Sequence, residues 1–206
     1  MLLLLNWNPL RMLSKGIDDK NSVFALLGLD SKFRTYKYKL DILICPFLYQ
    51  EQNELISFGF LRCTDLNPIA ANATKATSQR NGVPVDVITS NLVCVLEDRL
   101  KSSVDLIVCN PPYAVTPSDE VGGNNTFKAT SGGVKGREVI DQILHIVPKL
   151  LSEKGLFYLT CIAQNDIDDI SQCMKAHNLQ MTKVLERHCG IEHLFTLRFS
   201  YKNYEL

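Results

Sequence analysis

The chain has 206 residues, and its 22 Lys and Arg balance its 22 Asp and Glu. That length supports one domain with a sizeable core, and 46% hydrophobic with 21% charged residues is the make-up of a globular protein. With no basic excess and no acidic run, a nucleic-acid partner is not expected.

Along the chain, residues 1–58 carry little regular pattern. The start, "MLLLLNWNPL", lacks a basic leader, and its apolar run stops at Leu5 before Asn6, Asn8 and Pro9. Neither secretion nor a membrane span is expected from it. "LDILICPFLYQ" is a candidate strand and Glu51 to Phe58 a candidate short helix.

From about residue 60 the pattern is regular. "FLRCTDL" reads as a strand. Asn67 can cap a helix that starts at Pro68 and runs to about Arg80, with Gly82 as its stop. "VPVDVIT" is the next strand, followed by a polar segment with a helical turn or two from Leu92 to Leu100. "VDLIVCN" is apolar on both faces, as a central parallel strand is.

A long irregular stretch, Pro111 to Val134, follows, and a loop of that length inside a domain is usually functional. The spacing of Val139, Ile143, Ile146, Val147 and Leu150 predicts a helix from about Gly136 to Leu151. "GLFYLTCI" is a strand and Asp166 to His177 a helix. "LQMTKVLER" and "HLFTLRFSYK" are closing strands with no crossover helix between them. The expected fold is α/β: a mostly parallel twisted sheet with one antiparallel strand near the C-terminus and helices on both faces.

Ligands of such sheets bind beyond the carboxyl ends of the strands, where the strand order switches. Asp65, Asn91 and Asn110 each lie at or just past such an end. A carboxylate at Asp65 can accept two hydroxyls of a ribose, or it can simply favour the following helix N-terminus. Asn91 can accept from an adenine amino group with Leu92 packed on the ring; read alone, it is a turn former. The residues expected to line a cofactor are Asp65, Leu66, Asn91, Leu92 and Asn110.

Asn110-Pro111-Pro112-Tyr113 is the sharpest feature. Two successive prolines fix φ and restrict the residue before them, so the turn is rigid before a ligand arrives. The Asn110 side-chain oxygen and the Pro112 carbonyl can together accept two N–H bonds from one planar NH₂ group. Tyr113 can lie against that plane and shield a nearby cation. An amide or aryl amine has a delocalised lone pair and is a poor nucleophile. Holding both its hydrogens aims the nitrogen and favours charge developing on it. The catalytic residues expected are therefore Asn110, Pro111, Pro112 and Tyr113.

"DLIVCNPPY" resembles the signature of S-adenosylmethionine-dependent methyltransferases of amide or exocyclic amine nitrogen. With "CTDLNPIAANAT", "AVTPSDEVG" and "GGVKGREVIDQILHIVPKLLSEKGLFYL", residues 59–203 resemble the eukaryotic and archaeal HemK-like methyltransferases. The resemblance implies a Rossmann-like class I methyltransferase fold and S-adenosyl-L-methionine as cofactor. It implies methylation of the glutamine of the GGQ motif in a class I translation release factor. Asn110 and Pro112 then hold the glutamine amide, Tyr113 packs on it, and Asp65 binds the ribose. Asn91 stands where relatives have Asp. The family also implies a small zinc-binding activator protein as heterodimer partner.

Residues 1–58 depart from the family, and residues 59–206 form the expected methyltransferase core. Relatives carry a Gly-rich loop resembling E-x-G-x-G-x-G after the first strand, whereas "DILICPFLYQEQNE" offers Pro46, Phe47 and Tyr49. Residues 1–58 are thus expected to replace the usual N-terminus, with impaired cofactor binding. The alternatives are a DNA adenine N6-methyltransferase acting on an extruded base, a protein lysine methyltransferase, or an inactive form that binds the activator without catalysis.

Seven cysteines without a CxxC pair suggest a reducing compartment, the cytoplasm, with the nucleus as a second location. His188, Cys189 and His193 lack a second ligand pair, so no metal site is expected.

Overall fold

The computed structural model describes residues 2–5, 61–80, 85–122 and 129–202. The candidate strand in "LDILICPFLYQ", the helix at 51–58 and the division near Gly59 lie outside these residues.

The elements are β1 (Leu2–Leu5), β2 (Leu61–Asp65), α1 (Pro68–Arg80), β3 (Asp86–Thr89), β4 (Val104–Cys109), α2 (Glu138–Leu150), β5 (Leu151–Ile162), α3 (Ile167–Lys175), β6 (Leu179–Cys189) and β7 (Glu192–Tyr201). All seven strands form one sheet in the order β3-β2-β1-β4-β5-β7-β6. Strands β1 to β5 pair in parallel, and β7 runs antiparallel to both β5 and β6.

The chain steps from β2 to β3 in one direction across the sheet and from β4 to β5 in the other. Crossovers between parallel strands are right-handed, so opposite steps put α1 on one face and α2 on the other. α3, which leads from β5 towards β6, steps the same way as α2 and packs beside it.

Local chemistry explains the element boundaries. Asn67 Oδ1 accepts the Ile69 N–H at 2.9 Å, so α1 begins at Pro68 as its cap dictates. The buried side of α1 is small, Ala71, Thr74 and Ser78, which lets the helix lie close to the sheet. α2 buries Ile140, Ile143, Leu144, Val147 and Leu150, a helical stripe one residue round from the expected one. Val139 and Ile146 are only partly buried at its flank.

β5 starts at Leu151, four residues before the expected Gly155. Its pairing with β4 jumps from Val104↔Leu151 to Leu106↔Leu156, a bulge that takes up the extra residues. Gly155 sits in that bulge, where a Cβ would stand 2.8 Å from the Val104 carbonyl oxygen. Farther along, Phe157 and Phe199 face each other across the antiparallel pair with ring centroids 5.5 Å apart, both fully buried.

The slot between β2 and β4 is filled by Leu2–Leu5. The apolar run that opens the sequence is thus the middle one of the five parallel strands. Among the described residues, no helix is long and apolar enough to cross a membrane.

A proline in this strand removes a ladder donor with neighbours on both sides. Leu4→Pro is expected to cost about 2 kcal/mol or more, read as a lower urea midpoint with an unchanged slope.

Candidate functional site

Register levels the carboxyl ends of four adjacent strands. Asp65 pairs with Thr89, Thr64 with Leu5, and Leu5 with Cys109. Asp65, Asn91 and Asn110 therefore come to one rim. The order switches between β1 and β4, where Asn110 follows the last residue of β4.

Asp65 is 8% exposed. Its Oδ1 accepts the Asn67 N–H at 2.7 Å, and its other oxygen has no hydrogen-bond partner among the described residues. Burial pushes the carboxyl above the usual carboxylate range, and the Asn67 amide offsets part of that rise. The Ser90 N–H donates to the Asp65 carbonyl at 3.0 Å and ties the exit of β3 to that of β2.

Leu66 is half-exposed on the rim, and Asn91 is exposed. The Asn91 carbonyl accepts the Cys94 N–H at 3.1 Å, so this residue does open a turn. Leu92 departs from expectation. It adopts φ 47°, is 2% exposed and belongs to the hydrophobic core, so it offers no open face to an adenine ring.

Asn110 is 8% exposed, and its buried side-chain oxygen Oδ1 has no hydrogen-bond partner among the described residues. An unmet buried acceptor costs about 1–3 kcal/mol, so its retention calls for an explanation. The Pro112 carbonyl likewise has no partner among the described residues. Tyr113 is 2% exposed, its ring enclosed by the core.

The turn is shaped from behind. Asn165 is fully buried, and its Nδ2 donates to the Tyr113 carbonyl at 2.9 Å and the Lys135 carbonyl at 2.8 Å. Its Oδ1 accepts the Ile162 N–H at 2.7 Å. Gly136, at φ 67°, lies against the Tyr113 carbonyl, where a Cβ would collide with that oxygen. Gly132 lets its segment approach the Pro112 carbonyl, 2.8 Å from where a Cβ would stand.

Beyond Tyr113 the long loop folds onto itself. Ala114 N–H donates to Thr130 O at 3.1 Å, Gly132 N–H to Ala114 O at 2.8 Å, and Thr116 N–H to Gly133 O at 3.1 Å. Glu138 Oε1 accepts the Ser118 hydroxyl at 2.5 Å and the Val134 N–H at 3.2 Å. These bonds, the hydroxyl's first, hold its carboxyl below the usual range.

Arg137 is the other buried strut. It pairs with Asp141 at 2.6 Å and Asp169 at 2.8 Å, and donates to the Asn165 carbonyl at 3.0 Å. Burial opposes its charge, but the two carboxylates outweigh burial and raise its pKa further.

Sequence reasoning missed Asn165, Gly132 and the role of Arg137. "GGVKGREV" drew notice only through family resemblance, and no local pattern marks Asn165. The described cysteines Cys63, Cys94, Cys109, Cys161 and Cys173 are free thiols. Among the described residues, no trio of His, Cys, Asp or Glu is placed to hold a metal. His188 and His193 instead stack with ring centroids 4.0 Å apart on the β6–β7 hairpin, and His193 bonds Glu186 at 2.7 Å.

The strand order and the rim at the β1/β4 switch are those of a class I methyltransferase fold. The solved Mtq2–Trm112 complex from E. cuniculi, responsible for methylation of the eRF1 translation termination factor, shares this fold with a TM-score of 0.51. It is 21% identical and covers 68% of this chain and 71% of that one. In sequence the chain is similar to curated methyltransferases. It is 47% identical to Mus musculus methyltransferase HEMK2 over 138 residues, 67% of this chain and 64% of that protein. It is 29% identical to the eRF1 methyltransferase catalytic subunit mtq2 of Schizosaccharomyces pombe, over 66% of this chain and 62% of that one. The chain thus spans a little under two thirds of the length of these relatives. No family model matches the sequence.

Because burial disfavours the charged form of Asp65, Asp65→Asn is expected to raise the melting temperature at neutral pH. The carboxyl's raised folded pKa makes its ionised state the costly one. The gain should therefore shrink as pH falls through that pKa and the wild-type group protonates. Paired melting curves from neutral pH down into the carboxylate range check the sign.

Proposed function

We propose that the chain is an S-adenosylmethionine-dependent N-methyltransferase of the glutamine side-chain amide in the GGQ motif of a class I translation release factor. One observation carries the acceptor side: the buried Asn110 Oδ1 without a partner, at the end of the switch-point strand. An acceptor kept dry and unmet suits an N–H supplied from outside, and the Pro112 carbonyl gives a second acceptor close by. A planar NH₂ group engages both. The sequence relatives supply the substrate class: the S. pombe protein is named an eRF1 methyltransferase subunit.

Asn110 and Pro112 hold the amide hydrogens and aim the nitrogen; Tyr113, enclosed like Leu92, offers the group no open ring face. As the nitrogen gains a methyl group it becomes cationic. The two oxygens stabilise that charge, and the nitrogen then loses one proton to water. S-adenosylmethionine, when bound, supplies the electrophilic methyl. Asp65 fits that cofactor through its unengaged carboxylate oxygen, with Leu66 and Asn91 on the same rim. Leu92 fits less well, being enclosed.

A small zinc-binding activator protein is the proposed partner. The E. cuniculi relative was solved as a complex with Trm112, and the S. pombe relative is named a catalytic subunit. The free thiols accord with the cytoplasm as the site of action, with the nucleus as a second.

Incubation with release factor, activator and labelled cofactor is expected to put label on the release-factor glutamine. Label on DNA or on lysine, or no label at all, would overturn the proposal. Asn110→Ala is expected to lower kcat about 10²–10³-fold. The segment that would hold the Gly-rich loop lies outside the described residues. Its Pro46, Phe47 and Tyr49 lead us to expect weak cofactor affinity, and isothermal titration showing ordinary micromolar binding would refute that.

A further inference from the structure

We infer that Asn165 is a positioning residue for the acceptor clamp, acting through the Tyr113 carbonyl. The role rests on the acceptor reading above and extends it to a residue 52 positions away in sequence.

Pro111 and Pro112 have no N–H, so the turn offers no backbone donor of its own at two successive positions. Its shape depends on what grips its carbonyls. The Pro112 carbonyl is one of the two proposed substrate acceptors, and the Asn110 side chain is the other. The next carbonyl, that of Tyr113, is held by Asn165 Nδ2 at 2.9 Å. The Tyr113 carbonyl lies in the peptide unit next to that of Pro112, so holding it fixes one end of the unit that carries the Pro112 oxygen and narrows the positions that oxygen can take.

Asn165 suits this task in three ways. It is 0% exposed, so water does not compete for its bonds. Its two amide hydrogens reach Tyr113 O and Lys135 O, while its oxygen takes the Ile162 N–H at 2.7 Å. One planar group thus joins the end of β5, the turn after β4 and the 134–136 turn. Asn165 is itself fixed, because Arg137 donates to its backbone carbonyl at 3.0 Å and is anchored by Asp141 and Asp169. Gly136 supplies the room: with a Cβ there, neither the Tyr113 oxygen nor Asn165 Nδ2 could stay in place.

Asn165→Asp keeps the shape but replaces the donor with an acceptor facing two carbonyl oxygens. Asn165→Ser keeps one short donor and no charge, and serves if the first variant fails to fold. Melting curves fix the folded fraction of each. Per folded molecule, kcat for the release-factor glutamine is expected to fall at least tenfold in the Asp variant and less in the Ser variant. The acceptor KM should rise, and the cofactor dissociation constant should stay within twofold of wild type. A second readout needs no turnover. In protein labelled with ¹⁵N-asparagine, a Gly-Gly-Gln peptide is expected to shift the Asn110 side-chain amide resonance in the wild type, and much less in the Asp variant.

Wild-type kcat in both folded variants, or cofactor affinity falling in step with kcat, overturns the positioning role. A wild-type chain that neither responds to the peptide nor methylates it overturns the acceptor reading itself, and this role with it.

Discussion

Two adjacent prolines decide how this site is built. Pro111 and Pro112 end the central strand without contributing a single backbone donor, so the turn cannot hold itself together. Among the described residues it is shaped by the amide of Asn165, the bare backbone of Gly132 and Gly136, and the pairing of residues 114–116 with 130–133. The arrangement leaves the Asn110 oxygen and the Pro112 carbonyl unengaged at a dry rim. A turn with ordinary amides would have used those acceptors up.

The rim departs from the folding optimum at two points. Asp65 is a carboxylate kept where burial disfavours its charge, and Asn110 is an acceptor kept where no described residue meets it. Both sit at the ends of strands whose registers are fixed by the core beneath them, so neither can relax towards solvent without breaking the ladder. A well-packed sheet tolerates such local losses, and they gather where a ligand can reverse them.

Much of this was legible in the sequence, for reasons that differ by element. The cap and first residue of α1, Asn67 and Pro68, act within three residues, and the helix begins where they say. The antiparallel end of the sheet followed from the missing crossover between its last two strands. The convergence of Asp65, Asn91 and Asn110 followed from strand ends alone. Leu92 was misread because its side chain turns inward from a left-handed backbone, which adjacency to Asn91 does not reveal. The early start of β5 was hidden by a bulge, a two-strand property. Asn165 was invisible because the two carbonyls that its Nδ2 meets lie 30 and 52 residues off and are main-chain groups, which carry no residue identity to match.

The place of β1 affects how the molecule must assemble. The partners of Leu2–Leu5 lie far along the chain, at Leu61–Thr64 on one side and Leu106–Cys109 on the other. One side of this apolar tetrapeptide therefore stays unpaired until the segment that forms β4 is made. The sheet cannot become continuous until β1 has met partners distant in sequence on both sides, at an entropic cost met before its own ladders form. Through that interval the same four leucines are a ready edge for a wrong strand.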